Sequence, residues 1–132
     1  VFGVDVDVAA VKTAKENAEK LDVSEETSWV VADIGVVRGV FDTVLQNPPF
    51  GVQQRGADRR FMSKSLELSS TIYSFHKGGE SNREFIKRFI EEHRGKITNI
   101  FPVTMEIPRM FKFHTKKKKS IQVDLYRIEG KI

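Results

Sequence analysis

The sequence predicts an α/β domain built on a mostly parallel sheet, and three observations carry that expectation. Val1-Phe2-Gly3-Val4-Asp5-Val6 is a nearly continuous apolar run, the pattern of a strand covered on both faces. Apolar residues at helical spacing follow it, and then a second short apolar run, so the order is strand, helix, strand. That order predicts a right-handed crossover between parallel neighbours. Near the end, two longer strand-like stretches flank a basic connection, which predicts an antiparallel pair closing the sheet.

The elements follow in order. Val8, Val11, Ala14, Ala18 and Leu21 form one face of a helix, with Lys12, Lys15, Glu16 and Glu19 between them. Ser28 to Ala32 reads as the second strand and Val40 to Leu45 as the third. After a polar stretch, Phe61, Leu68 and Ile72 mark another helix, and Thr71 to Phe75 has the composition of a strand. Ser81-Asn82-Arg83-Glu84 fits a capping box, in which serine and glutamate satisfy the exposed amides of a helix start. Phe85, Ile86, Phe89 and Ile90 supply that helix's apolar stripe, and Gly95 is placed to end it. Ile97 to Ile107 reads as a strand interrupted by Pro102, and Ile121, Val123 and Leu125 alternate with polar residues as in a half-buried strand. No internal repeat or interdomain linker is visible, so residues 1–132 read as a single domain. The opening run looks like a central strand, so the expectation is that the domain begins before Val1.

The chain carries 22 Lys and Arg against 18 Asp and Glu, a net charge of +4, and no cysteine. Disulfides and thiolate metal sites are therefore excluded, and the three scattered histidines have no metal-ligand spacing. No apolar run approaches the roughly 20 residues of a membrane span, and no signal peptide is visible, so a cytoplasmic protein is expected. The positive charge is local. From Ile107 to Ser120 there is no acidic residue, while Arg109, Lys112 and Lys116 to Lys119 fall there.

Each of the first three strands ends in a polar candidate: Asp5, Asp33 and Asn47. Ligands of open α/β sheets bind at the carboxyl ends of the strands. A carboxylate at Asp5 can accept two hydrogen bonds from a ribose diol, or its role is purely structural. Asp7 reads as a helix cap. Asp33 is placed to accept from an adenine amino group, with the amide of Ile34 facing the ring. Its other reading is a plain turn residue.

The third strand runs into Asn47-Pro48-Pro49-Phe50-Gly51. A strand needs only one proline to end it. The tetrapeptide resembles the catalytic motif of S-adenosylmethionine-dependent methyltransferases that modify amino nitrogens. With "VFGVDVD", "VVADI", "YSFHK" and "FKFHTKKKKSIQVDLYRI", the chain is similar over almost its whole length to the methyltransferase-like protein five family and its archaeal members. The resemblance implies a Rossmann-like class I methyltransferase sheet and an N6-adenine methyltransferase acting on small-subunit ribosomal RNA. It implies S-adenosyl-L-methionine as cofactor, held by Asp5, Asp33, Ile34 and Asn47. It also implies that Asn47, Pro48, Pro49 and Phe50 are catalytic. The Asn47 amide oxygen and the Pro48 carbonyl would accept the two N–H bonds of an adenine amine, and Phe50 would stack on a flipped base. The family's first strand and Gly-rich loop are missing ahead of Val1, so this chain is expected to be an inactive piece of an enzyme.

Arg109 to Lys119 interleaves cations with aromatics, the combination that holds single-stranded RNA. Phe50, His76, Lys77, Lys112, Phe113, His114, Lys116, Lys117 and Lys118 are the expected RNA contacts, with His76 and Lys77 facing the rim of the site. His76 reads equally as a structural hydrogen-bonder. The resemblance further implies a small zinc-binding activator protein adding a strand at the Trp29-Val30-Val31 edge. Two other functions fit the motif. One is a protein glutamine-N5 methyltransferase, because that side-chain amide has the same planar NH2. The other is a non-catalytic RNA-binding remnant.

Overall fold

A computed structural model describes residues 1–49, 57–108 and 118–131. They fall into two compact units, Val1–Arg38 and Gly39–Ile132.

In the first unit, β1 (Phe2–Asp5) pairs in parallel with β2 (Ser28–Val31), joined through helix α1 (Val8–Lys20). The helix starts where the sequence places its cap: Asp7 Oδ1 accepts from the amide of Ala9 at 2.9 Å. Val11 and Ala18 are its buried residues. Val8 and Leu21, counted above in the same stripe, are exposed, because the buried face is only one residue wide at each turn. The apolar run at the start is not covered on both sides as expected. Phe2, Val4 and Val6 are exposed, since one helix on a two-stranded ribbon can cover only one face. Gly3 lies opposite Trp29, and a Cβ there would collide with the indole ring.

The second unit is a four-stranded mixed sheet in the order β3-β4-β6-β5. The strands are β3 (Val44–Gln46), β4 (Thr71–Lys77), β5 (Lys96–Pro108) and β6 (Lys118–Glu129), with helices α2 (Ala57–Leu68) and α3 (Glu80–Glu92) between them. β3 and β4 run parallel, while β6 is antiparallel to both β4 and β5. The parallel and closing antiparallel pairs match the sequence reading. The third strand is shorter than expected: Gly39 has φ +127°, and Phe41 contributes only an isolated bridge to Ser69. Pro102 does not interrupt β5, because β5 is an edge strand and an edge tolerates a residue with no ladder donor.

The ends of α3 also differ from the expectation. No capping box forms; the helix already begins at Glu80, with Gly79 in the cap position and no side-chain bond. At the other end Arg94, not Gly95, takes the left-handed position at φ 64°. The amide of Gly95 donates to Ile90 O at 2.8 Å and that of Arg94 to Glu91 O at 3.0 Å, a Schellman closure. Asp22 at φ 58° closes α1 the same way, with the amide of Val23 donating to Ala18 O at 2.9 Å. Glycine stands at 95 for space: a Cβ would lie 2.8 Å from Ile90 Cγ2 and 3.0 Å from Leu66 Cδ2. Gly95→Ala should therefore destabilise the unit by about 1–3 kcal/mol, read as a lower urea midpoint with an unchanged slope.

The core lies between one face of this sheet and the two helices. Met62 and Leu66 of α2, Ile86 and Ile90 of α3, and Ile72, Tyr126 and Ile128 of the sheet form it.

Candidate active site at the end of the third strand

β3 stops at Gln46 because Pro48 and Pro49 have no amide hydrogen to offer β4. Gln46 is in register with Ser74, so Asn47 begins just beyond the last paired row. Pro48 is buried and Pro49 half-buried, while Asn47 is exposed. The proline anchors the turn inward and leaves the amide side chain at the surface. Asn47 joins Leu45, Gln46, Tyr73, Phe75 and Leu125 around an open, largely apolar cleft of about 540 Å³. Leu45 is 77% exposed at its wall. A flat apolar cleft beside an amide acceptor suits an aromatic ring carrying an amino group. Phe50 lies outside the described residues.

The opposite face of the same strands carries polar groups. Burial alternates along Thr71 to Lys77: Ile72, Ser74 and His76 are buried, Tyr73 and Phe75 only half-buried. His76, expected at the rim, is 3% exposed and turned inward. Its Nε2 lies 2.7 Å from Ser74 Oγ, and its ring meets Tyr126 edge-on at 5.3 Å. Desolvation lowers its pKa from 6.5 to about 4, against the opposing pull of Asp58 and Asp124. Lys77, the next residue, is exposed.

Further polar residues of this layer carry no functional signal in the sequence. Gln46 Nε2 donates to Ser74 Oγ at 3.0 Å and to Ser65 Oγ at 3.4 Å. Asp124, 2% exposed, takes a two-pronged bond from Arg83, Nε at 2.8 Å and Nη2 at 2.7 Å. Nearby, the Tyr126 hydroxyl is buried without a hydrogen-bond partner among the described residues. Desolvation, then the Asp124 charge, pushes it up to about 12. Only pairing across β4 and β6, His76 with Asp124 and Ser74 with Tyr126, brings these groups together.

In the first unit, the carboxyl ends of β1 and β2 lie side by side, tied by the Ala32 amide to Asp5 O at 3.0 Å. Asp5 and Asp33 are both exposed there. Asp5 Oδ1 accepts from the Asp7 amide at 2.8 Å, and Asp33 Oδ1 from the Gly35 amide at 2.7 Å. Asp33 thus caps the short 3₁₀ turn Ile34–Val36. One amide bond uses only part of a carboxylate's acceptor capacity, so a turn role and a ligand role are compatible at Asp5. The half-buried Trp29 donates its indole N–H to Thr27 Oγ1 at 3.2 Å, while Val30 and Val31 are 45% and 46% exposed. Of the basic segment, Lys112, Phe113, His114, Lys116 and Lys117 lie outside the described residues. The backbone of Lys118 opens β6, paired with Pro108.

Residues 1–74 match the UPF0020 family model, an RMKL-like methyltransferase domain. The chain belongs to this methyltransferase family. It is 36% identical over 138 residues to an uncharacterized protein of Methanocaldococcus jannaschii, covering 97% of the chain and 62% of that protein. It is 34% identical over 134 residues to the rRNA N(6)-adenosine-methyltransferase Mettl5 of Drosophila melanogaster, covering 96% of the chain and 62% of that protein. The crystal structure of PH1948, a candidate RNA methyltransferase from Pyrococcus horikoshii, superposes with a TM-score of 0.86 at 36% identity. That match covers 100% of the chain and 64% of the Pyrococcus protein. The fold is thus the Rossmann-like α/β fold of class I S-adenosylmethionine-dependent methyltransferases. The chain spans 62% of the length of both curated relatives. Among the described residues, no helix of this methyltransferase chain is long and apolar enough to cross a membrane.

Proposed function

We propose that this chain is part of a single methyltransferase domain that methylates the N6 amino group of an adenine in small-subunit ribosomal RNA. The observation that carries the reading is the Asn47-Pro48 turn, with an exposed amide beside an apolar cleft at the carboxyl end of a parallel strand. An adenine amine is a poor nucleophile because its lone pair is delocalised into the ring. The Asn47 amide oxygen and the Pro48 carbonyl would accept its two N–H bonds. That draws charge toward the nitrogen and turns the lone pair out of the ring plane. The prolines keep the Pro48 carbonyl out of a ladder.

S-adenosylmethionine supplies an electrophilic sulfonium methyl. Asp5 and Asp33, exposed on adjacent strand ends, fit the hydroxyl and amino groups of its nucleoside, and the Ile34 amide its adenine. Asn47 is assigned to the cofactor as well as to the base through the family motif. Phe50 would stack on the base. Lys77 and the lysines after Phe113 supply phosphate contacts. The exposed Val30 and Val31 suit strand addition by a small zinc-binding activator. A cytoplasmic setting goes with a ribosomal substrate.

The test uses the protein at the full length of its relatives, labelled S-adenosylmethionine and unmodified ribosomal subunits. Label recovered as N6-methyladenosine in small-subunit RNA is the expected result. Label in protein instead would favour glutamine methylation, and RNA binding without label a non-catalytic module. In the same protein, changing Lys116, Lys117, Lys118 and Lys119 to glutamine should flatten the salt dependence of RNA binding. The expected loss is roughly 0.7 of logarithmic slope per phosphate contact removed. An unchanged slope would remove this segment from the interface.

A further inference from the structure

We propose that Gln46, Ser65, Ser74 and His76 form a positioning device that fixes the direction in which β3 delivers Asn47, an inference that rests on the methyltransferase reading above. β3 is three residues long, and the two prolines after Asn47 remove the amides that would otherwise extend its ladder. The turn therefore needs another anchor. Gln46, the residue immediately before Asn47, supplies it through its side chain.

The bonds run in one direction. Ser65 Oγ donates to Met62 O at 2.9 Å, so its oxygen meets Gln46 as an acceptor. Ser74 Oγ also accepts from Gln46 Nε2, at 3.0 Å, and lies 2.7 Å from His76 Nε2, to which it gives its own proton when that nitrogen carries none. One amide group thus ties β3 to α2 and to β4 at once. His76 ends the chain as the acceptor, which requires its ring to be neutral with the proton on Nδ1.

The position of this layer within the core argues for a purpose. At the opposite end of the same face, Ile72 and Ile128 pack with Met62 and Leu66, and the buried hydroxyl there, Ser69, bonds only backbone groups of Asp42 and Thr71. Burying hydroxyls, an amide and an imidazole costs free energy unless every bond is made, and apolar residues would fill the space with less risk. Packing fixes where a strand lies. Directional bonds also fix its roll about its own axis. The polar groups are concentrated at the strand end where roll decides where the Asn47 oxygen points, and a displacement of about 1 Å there can cost on the order of a hundredfold in rate.

Gln46→Met keeps length and apolar volume but removes the amide, and Ser74→Ala removes its acceptor. In the full-length protein, Gln46→Met should lower kcat about tenfold or more. KM for S-adenosylmethionine and for RNA should stay within about twofold, since a positioning residue acts in the transition state. The double variant should be no slower than the worse single one. Hydrogen exchange gives a readout independent of activity: amides of Val44 to Asn47 should exchange faster in Gln46→Met, while those of α3 and β5 should not. Unchanged kcat or unchanged exchange at these amides, even with a lower Tm, would overturn the proposal and leave the layer a stability element. If the unaltered protein methylates no RNA, the functional reading fails, and the exchange result still decides whether the anchor exists.

Discussion

Asn47→Ala in the full-length protein is expected to slow methyl transfer to RNA by at least about a hundredfold while leaving the fold intact. The amide oxygen is the only acceptor that the Asn47 side chain can offer an adenine N–H. Its loss leaves the Pro48 carbonyl to hold the amine alone, free to pivot. Preorganised acceptors of this kind contribute in the transition state, as charge develops on the nitrogen, so the loss should fall on kcat. Stability should be nearly unaffected, because Asn47 is exposed and its side chain makes no hydrogen bond among the described residues. Single-turnover transfer of a labelled methyl group, with the thermal midpoint as control, checks both halves. A variant within about threefold of the unaltered enzyme would sink the role given to Asn47.

The second large effect concerns acid. His76 is held near a pKa of about 4, against 6.5 in an open chain, chiefly because burial penalises its charged form. Above about pH 6.5 the ring is neutral in both states and its contribution is complete. As pH falls below that, the unfolded chain takes up a proton that the folded one refuses, so stability drops until the pH reaches about 4. The gap corresponds to roughly 3 kcal/mol, an order-of-magnitude figure. Asp58 and Asp124 pull the other way without cancelling the effect of burial. Urea titrations between pH 7.5 and 4.5 on the chain and on His76→Gln would isolate the effect. The variant should start less stable and lose less with acid. Equal losses in both would mean that His76 is not buried neutral.

Sequence periodicity reveals elements better than it reveals which way they face. The spacing of Val11 and Ala18 and the cap at Asp7 located α1, because both signals are local. The Asn-Pro-Pro turn was legible for the same reason: proline chemistry acts on its own backbone. The facing of β4 is not legible in the sequence. Tyr73 and Phe75 are the more apolar residues, yet the face that the helices cover carries Ser74 and His76, which bond each other and meet Gln46 of β3 and Tyr126 of β6. Gln46 and Tyr126 are far away in sequence, so no local pattern announces them. The capping box fails because Gly79 offers a start two residues earlier, and Gly95 stands where it does because Ile90 and Leu66 leave no room for a Cβ, a constraint no local pattern shows.

The strand order has a consequence for how such a chain is made. β6 is the last of the four strands in sequence, yet it lies between β4 and β5, which do not pair with each other. While a ribosome extends the chain, β4 and β5 emerge as two open edges with no common neighbour. The second unit can close only once residues up to Glu129 have left the exit tunnel. Its folding therefore depends on contacts distant in sequence, the slow class of topologies. A premature stop a dozen residues upstream of Glu129 would remove the middle of the sheet. What remained would be a ribbon and an orphaned strand, both templates for aggregation.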